Sequence, residues 1–315
     1  MIRCWVKCGD GRELELPDAI SWKFSYGTDT PCDSFFLKCL WEQGQEKLLS
    51  AACRFYAQWE EERVFTGVVD DFSVQCGPNG LFLELSGRGM AALLLDNEAL
   101  PAQYQRCTWA DIQARHVSPY GIQTIGGQNL PAVSGFTVGS GSSEWSVVRE
   151  FARYYGGVTP RFDRWGRLVL EPWESHGALL LDGSVPVERW EYREERHGVL
   201  SQVAVRHRTA PGVQWVSNEA FLAEGGRARR VVTVPNTMGT AAMRYSADYQ
   251  LQASRSERVR LVLTLAGGFL AWPGQLVDVN LAKSGVNGTY RVARAEVVCG
   301  PDGLTTTLEL GLASI

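Results

Sequence analysis

The sequence predicts a mainly β protein with an α+β insertion: two related β-barrel domains flanking a small α+β middle module. Three observations carry this reading. Thirty-three glycines and thirteen prolines punctuate short runs of Val, Leu, Phe and Thr, the pattern of many strands joined by turns. One hairpin signature occurs twice, as Cys76-Gly77-Pro78-Asn79-Gly80-Leu81 and as Cys299-Gly300-Pro301-Asp302-Gly303-Leu304, 223 residues apart. Helical periodicity is confined to the middle of the chain and to one late segment. The expected limits are 1–95 for the first barrel, 96–184 for the middle module and 185–315 for the second barrel, with a helix inserted near 240–258.

In the first barrel, Leu48, Ala52, Phe55 and Trp59 fit a helix, whereas Cys53, Phe55 and Ala57 alternate with Arg54, Tyr56 and Gln58 as in a strand. The strand is favoured, with Glu60-Glu61-Glu62 as a polar turn into Val64-Phe65-Thr66-Gly67-Val68-Val69. The turn Gly77-Pro78-Asn79-Gly80 then joins Val68–Val74 to Leu81–Leu85, because Pro presets φ and Asn-Gly tolerates the positive φ of a tight hairpin. Gly300-Pro301-Asp302-Gly303 does the same between Tyr290–Val298 and Leu304–Leu310. Each copy ends in Leu-Glu-Leu near a glycine, at Leu83-Glu84-Leu85 and Leu308-Glu309-Leu310.

The middle reads differently. Thr108 caps a short helix with Asp111 reaching back, and Ile112 lies on its apolar face. Trp145, Val148, Phe151, Ala152 and Tyr155 recur at helical spacing between Ser142-Ser143 and the stop Gly156-Gly157. Phe162 to Leu170 reads as a hairpin turning near Gly166. The late helix, Thr240 to about Arg258, places Ala242, Tyr245, Tyr249 and Ala253 on one stripe.

Composition excludes several classes. At 315 residues and 34.8 kDa, with 45% hydrophobic and 21% charged residues and a net charge of −4, the chain is neither disordered nor fibrous. Its apolar runs, such as Leu93-Leu94-Leu95 and Leu179-Leu180-Leu181, fall far short of the ~20 residues of a membrane-spanning helix. Met1 to Lys7 lacks the apolar block of a secretory signal, so assembly in a cytoplasm and reduced cysteines are expected. Twenty-six arginines against five lysines, with eleven tryptophans and ten tyrosines, suit protein interfaces, or reflect an arginine-rich genome. Net acidity argues against a dedicated nucleic-acid binder, and Arg227, Arg229 and Arg230 read as the solvated start of a strand or as salt-bridge partners.

No constellation for chemistry emerges. Cys4 and Cys8 would lie about 13 Å apart on one strand face, too far to share a zinc ion, and Cys32 and Cys39 are no better spaced. His116, His176, His197 and His207 form no paired ligand motif and read as surface or hydrogen-bonded residues. Cys107 and His116 are separated by a helix, which rules out a nucleophile–base pair. Ser140-Gly141-Ser142 is a loop before a helix cap, and Ser86-Gly87-Arg88-Gly89 lacks the rest of a phosphate fingerprint. The acidic sets Asp70-Asp71, Glu60–Glu62 and Glu194-Glu195 read as solvated or salt-bridged, because adjacent strand residues face opposite ways. No catalytic residue, metal or cofactor is expected.

Two stretches nevertheless carry a resemblance. Val64 to Asp71 with Leu83 to Asp96, containing Phe65, Gly67, Gly87 and Arg88, resembles the first barrel of tail hub proteins, the baseplate hub or late-control D-type proteins of contractile phage tails and injection particles. Trp272-Pro273-Gly274-Gln275-Leu276-Val277-Asp278-Val279, then Asn287 to Val292 with Tyr290, and Thr305 to Leu310, is similar to the second barrel of that family. No appended peptidoglycan-binding or lysozyme-like module is expected. The resemblance implies a structural homotrimer whose six barrels meet a sixfold tail tube while its threefold axis meets a spike. Its implied partners are further copies of itself, the spike protein, tail tube or tube-initiator proteins and a tape measure protein. The middle module would decorate the ring or brace neighbours. A cell-wall hydrolase, motivated by the acidic pairs and tryptophans, and a glycan- or receptor-binding tail module are the alternatives.

Overall fold

A computed structural model describes residues 2–28, 33–78, 80–173, 177–234, 236, 238–256, 258–282 and 284–313. Cys32, Asn79 and His176 lie outside the described residues. The N-terminal part is β1 (Ile2–Cys8), β2 (Glu13–Glu15), β3 (Ala19–Gly27), β4 (Ser34–Leu40), α1 (Glu46–Ser50), β5 (Ala52–Trp59), β6 (Glu62–Gly77) and β7 (Gly80–Gly89). The middle holds α2 (Ala92–Leu95), β8 (Ala102–Cys107), α3 (Trp109–Ile112), β9 (Thr124–Gly126), β10 (Val133–Val138), α4 (Glu144–Glu150), β11 (Arg161–Phe162) and β12 (Leu168–Leu170). There follow β13 (Leu179–Asp182), β14 (Val187–Glu194), β15 (Gln202–His207), β16 (Val213–Ser217), α5 (Glu219–Ala223), β17 (Arg229–Val234), α6 (Thr240–Ser256), β18 (Val259–Ala266), β19 (Leu276–Asn280), β20 (Gly288–Gly300) and β21 (Gly303–Leu312).

The protein is mainly β, and its strands show the alternation that half-buried sheets require. In β1, Ile2, Cys4, Val6 and Cys8 point inward while the residues between them do not. In β18, Val259, Leu261, Leu263 and Leu265 do the same. Residues 52–59 form the expected strand, and Leu48 belongs to the short helix α1 that precedes it.

The N-terminal unit has the spatial strand order β3-β4-β7-β6-β5-β1, and the C-terminal unit has β14-β18-β21-β20-β19-β13. Corresponding strands follow in the same chain order, so the second unit repeats the topology of the first. The ladder irregularities coincide as well. β6 carries an extra residue at Asp70 and β20 at Ala293, the positions that the 223-residue offset superimposes. β3 bulges at Ile20 and β14 at Glu188. This register corrects one sequence equivalence. Leu83-Glu84-Leu85 corresponds to Thr306-Thr307-Leu308 and not to Leu308-Glu309-Leu310, because Phe72 and Ala295, related by the same offset, pair with Leu85 and Leu308. The copies also differ: β1 runs antiparallel to β5, but β13 runs parallel to β19. Leu179–Asp182, assigned from sequence to the middle module, is that strand β13 of the C-terminal unit.

The two units are not separate sheets. β20 pairs with β19 through residues 288–291, and β3 takes over the same edge from Arg294 to Cys299, fusing both units into one 13-stranded sheet. Phe24, Phe35, Phe55 and Phe65 from one unit and Leu261, Leu263, Leu308 and Leu310 from the other share one hydrophobic core. A second core, built on Trp109, Ile112, Phe136, Val148 and Phe151, belongs to the middle segment.

There, Thr108 and Asp111 form the expected capping box, Ser143 caps α4, and the helical run continues as a π-helical turn, Phe151–Tyr155. Between β14 and β18, where the first unit has only the short connection from β3 to β4, the sheet β16-β15-β17 packs on α6 around a third core. The buried stripe of α6 is Met243, Ala247 and Leu251 with Ala242, which differs from the stripe read from sequence. Tyr245 and Tyr249 turn instead toward the middle segment, Tyr245 against Gly157 and Tyr249 edge-on to Tyr154 at 6.1 Å. The helix is sandwiched between two partners, and a single-stripe reading finds only one face.

Candidate functional site

The sequence-singled residues sort into structural roles. Gly77 pairs with Gly80 and Gly300 with Gly303 at the tips of the two long hairpins. The positive φ falls on the glycines, +114° at Gly80 and +105° at Gly303, while Asp302 keeps a negative φ. Pro78 and Pro301-Asp302 lie exposed in those turns.

Phe65 sits in the aromatic core, 5.5 Å from Phe24 and 5.4 Å from Phe35. Gly67 and Gly87 face each other's strands so closely that a β-carbon would strike the Arg88 carbonyl oxygen at Gly67, and the Val68 carbonyl oxygen and the Phe35 ring at Gly87. Arg88 clamps two carboxylates, bonding Asp70 at 2.7 and 2.9 Å and Asp96 at 2.9 and 2.6 Å. Those bonds hold its guanidinium firmly charged. Gly274 follows Pro273 at φ +90° with its α-carbon against the Trp173 ring, and its carbonyl accepts from the Arg291 guanidinium. The Tyr290 hydroxyl donates to the Val286 carbonyl at 2.9 Å. These residues hold backbones together and bring no reactive groups to one place.

The acidic sets are mostly neutralised. Asp70 is held by Arg88, Glu62 by Arg164 at 3.4 Å, Glu195 by Arg193 at 2.9 Å, and Glu194 by Arg258 at 2.7 Å. Arg258 also reaches Glu224 at 2.8 Å and so ties the end of β14 to α5. Among the described residues no group of three or more His, Cys, Asp or Glu could hold a metal ion. Burial pushes the Cys4 thiol well up and the Cys39 thiol up to about 11, which keeps both protonated and unreactive. Cys107 donates to the Thr108 carbonyl.

His116 belongs to a network that the sequence reading missed. Its Nδ1 lies 2.5 Å from Glu144 Oε2 and its Nε2 lies 3.2 Å from the Tyr104 hydroxyl, while the Tyr120 hydroxyl donates to Glu144 Oε1 at 3.1 Å. His116 and Glu144 are both buried. The spacing of 28 residues gives no sequence signal for the pair.

What remains exposed and organised is the large sheet. Its outer face carries a lattice of opposite charges: Lys23 with Glu296 at 2.7 Å, Arg260 with Glu309 at 2.9 Å, and Lys38 with Glu84 at 2.7 Å. A groove of about 610 Å³ crosses it between β14 and β3. Several strand edges of the large sheet have no partner among the described residues, those of the short strands β2 and β13 included, and two such edges belong to long strands. One is β6 beyond Gly67, where β5 stops; the other is the outer edge of β14. Both carry exposed apolar side chains, Val74 at 41%, Trp190 at 44% and Tyr192 at 40%. Sequence reasoning passed over β14, although Trp190-Glu191-Tyr192 echoes Trp22-Lys23-Phe24 of β3.

No protein-family model matches the sequence, and no curated protein matches it. Solved structures do. The tail protein from Neisseria meningitidis aligns over 100% of this chain and 97% of its own with a TM-score of 0.80 at 19% identity. The 43 kDa tail protein of prophage MuSo2 from Shewanella oneidensis aligns over 99% and 98% with a TM-score of 0.74 at 17% identity. An Escherichia coli component of the type VI secretion system, described as structurally similar to the T4 bacteriophage tail proteins gp27 and gp5, covers 94% of this chain and 74% of its own, with a TM-score of 0.58 at 12% identity. The fold is that of phage tail proteins.

Proposed function

We propose that this chain, which has the fold of phage tail proteins, is a structural baseplate hub: three copies form a ring that joins a sixfold tail tube to a threefold spike. The observation that carries the reading is the internal repeat. Two six-stranded units of one topology, with bulges at matching positions, are what a trimer needs to present six similar surfaces. The partners are further copies of the chain, a spike protein, tail tube or tube-initiator proteins and a tape measure protein, and the setting is a phage tail or injection particle. No helix among the described residues is long and apolar enough to cross a membrane. The division at 1–95, 96–184 and 185–315 remains our proposal for the domains, except that β13 (Leu179–Asp182) goes with the last.

The role is adhesive and mechanical. The arginine-paired acidic sets and the buried His116–Glu144 network support a non-enzymatic reading over a hydrolase. Mass measurement of the purified chain should give about three times 34.8 kDa, and its complex with the spike should contain three copies, with images showing six lobes around a threefold axis. A single-copy complex with the spike would refute the ring. Clearing of purified cell wall that one carboxylate substitution abolishes would establish the hydrolase instead.

A further inference from the structure

Resting on that ring reading, we infer that the joint between neighbouring copies is the free edge of β14 paired antiparallel with the free edge of β6 of the next copy. The argument comes from the repeat. Inside the chain the two units are joined by β3 on β20, with Trp22 opposite Cys299, Phe24 opposite Val297 and Tyr26 opposite Ala295. The repeat makes β14 the counterpart of β3, aligned at the bulges Ile20 and Glu188, and makes β6 the counterpart of β20, aligned at Asp70 and Ala293. Both of these counterparts present an unpaired edge among the described residues. Each chain therefore owns one joint already made and the two halves of a second, which can be completed only between copies, head to tail.

The equivalence fixes the register. Trp190 falls opposite Cys76, Tyr192 opposite Val74, and Glu194 opposite Phe72. The side-chain faces agree with it. Val74 and Phe72 lie across from the core residues Leu83 and Leu85, and Trp190 and Tyr192 lie across from Leu263 and Leu261, so all four point to the core side of their sheets. In β3 the matching Trp22, Phe24 and Tyr26 are buried in the core that both units share. In β14 Trp190 and Tyr192 are exposed in the single chain.

Charge fits as well. Within the chain, Ser25 and Lys23 of β3 both engage Glu296. Across the new joint, Arg193 falls opposite Ser73, whose partner on β7 is Glu84, already held by Lys38 at 2.7 Å, so the arginine would join an existing ion pair. Asp71 would approach Glu195 at the end of the ladder, and Arg193 already holds Glu195 at 2.9 Å. An edge carrying exposed aromatics is an aggregation hazard unless it has a designated partner.

The register can be trapped with one substitution. Directly opposed strand residues have β-carbons within disulfide reach, and Cys76 is native and exposed. Full-length Trp190→Cys, mildly oxidised and run without reductant, should give linked dimers and a terminal linked trimer. Adding Cys76→Ser should abolish the ladder. Val74→Lys, which alters an exposed position, should reduce the native mass to one copy while leaving the melting curve of the single chain unchanged. A trimer that neither cross-links nor dissociates in these variants overturns the edge assignment and leaves the ring standing. A wild-type chain that stays at one copy at every concentration, with and without the spike, overturns the ring reading and the joint with it.

Discussion

At the scale of single residues, the glycines fall into two physical kinds. Gly67 and Gly87 are required by contact: at each, a β-carbon would overlap a carbonyl oxygen and an aromatic ring of the core, and a carbonyl in a paired strand cannot move aside. Gly87→Ala should therefore cost about 3 kcal/mol or more in chemical denaturation, at the upper end for a point substitution. Gly77→Ala has open space around it and should stay within about 0.5 kcal/mol. Equal losses would mean that the strand crossing tolerates more than its geometry suggests.

Asp33 makes a second residue-scale case. Burial pushes its carboxyl up to about 7, only partly offset by the Gly27 N–H that donates to it. Its folded form thus binds a proton more tightly than the unfolded chain does. That contribution is complete below the ordinary carboxylate range and is lost as pH rises through about 7. Asp33→Asn keeps an acceptor for Gly27 and removes the titration. It should melt above the wild type at pH 8, by on the order of 1 kcal/mol, with the gap closing toward pH 5. A pH-independent difference would assign the effect elsewhere.

At the scale of elements, the middle segment is organised around a polar pair that links the helical stretch after α3 to α4. Glu144→Ala would leave the buried His116 and the Tyr120 hydroxyl without their acceptor, and should cost about 3 kcal/mol in urea unfolding. Glu144→Gln keeps an acceptor and should cost less. An unchanged midpoint for both would show that the pair contributes nothing to holding the helices. Elements whose logic is local were legible in the sequence: the Thr108–Asp111 capping box, the Ser143 cap and the strand at 52–59 all follow from neighbours a few residues apart. Elements whose logic is long-range were not. The Met243–Leu251 stripe of α6 is set by β15, and His116 meets Glu144 through the fold alone. β14 escaped notice because its residues after Val187 are exposed, so no buried alternation marks it.

For the whole molecule, the consequence of the fused sheet is cooperativity between the ends of the chain. Val297 of β20 lies opposite Phe24 of β3 and is buried in the core that both units share. Truncating it removes apolar contact from the joint itself, not from either unit alone. Val297→Ala should cost about 1–3 kcal/mol. Because β3 draws its packing from across that joint, amide protection should fall in Trp22 to Tyr26 as much as in Ala295 to Cys299, more than 250 residues away in sequence. Hydrogen exchange resolved by peptide would show this directly. If the N-terminal strands keep their full protection while β20 loses its own, the units are independently stable, and the sheet between them is a contact and not a shared core.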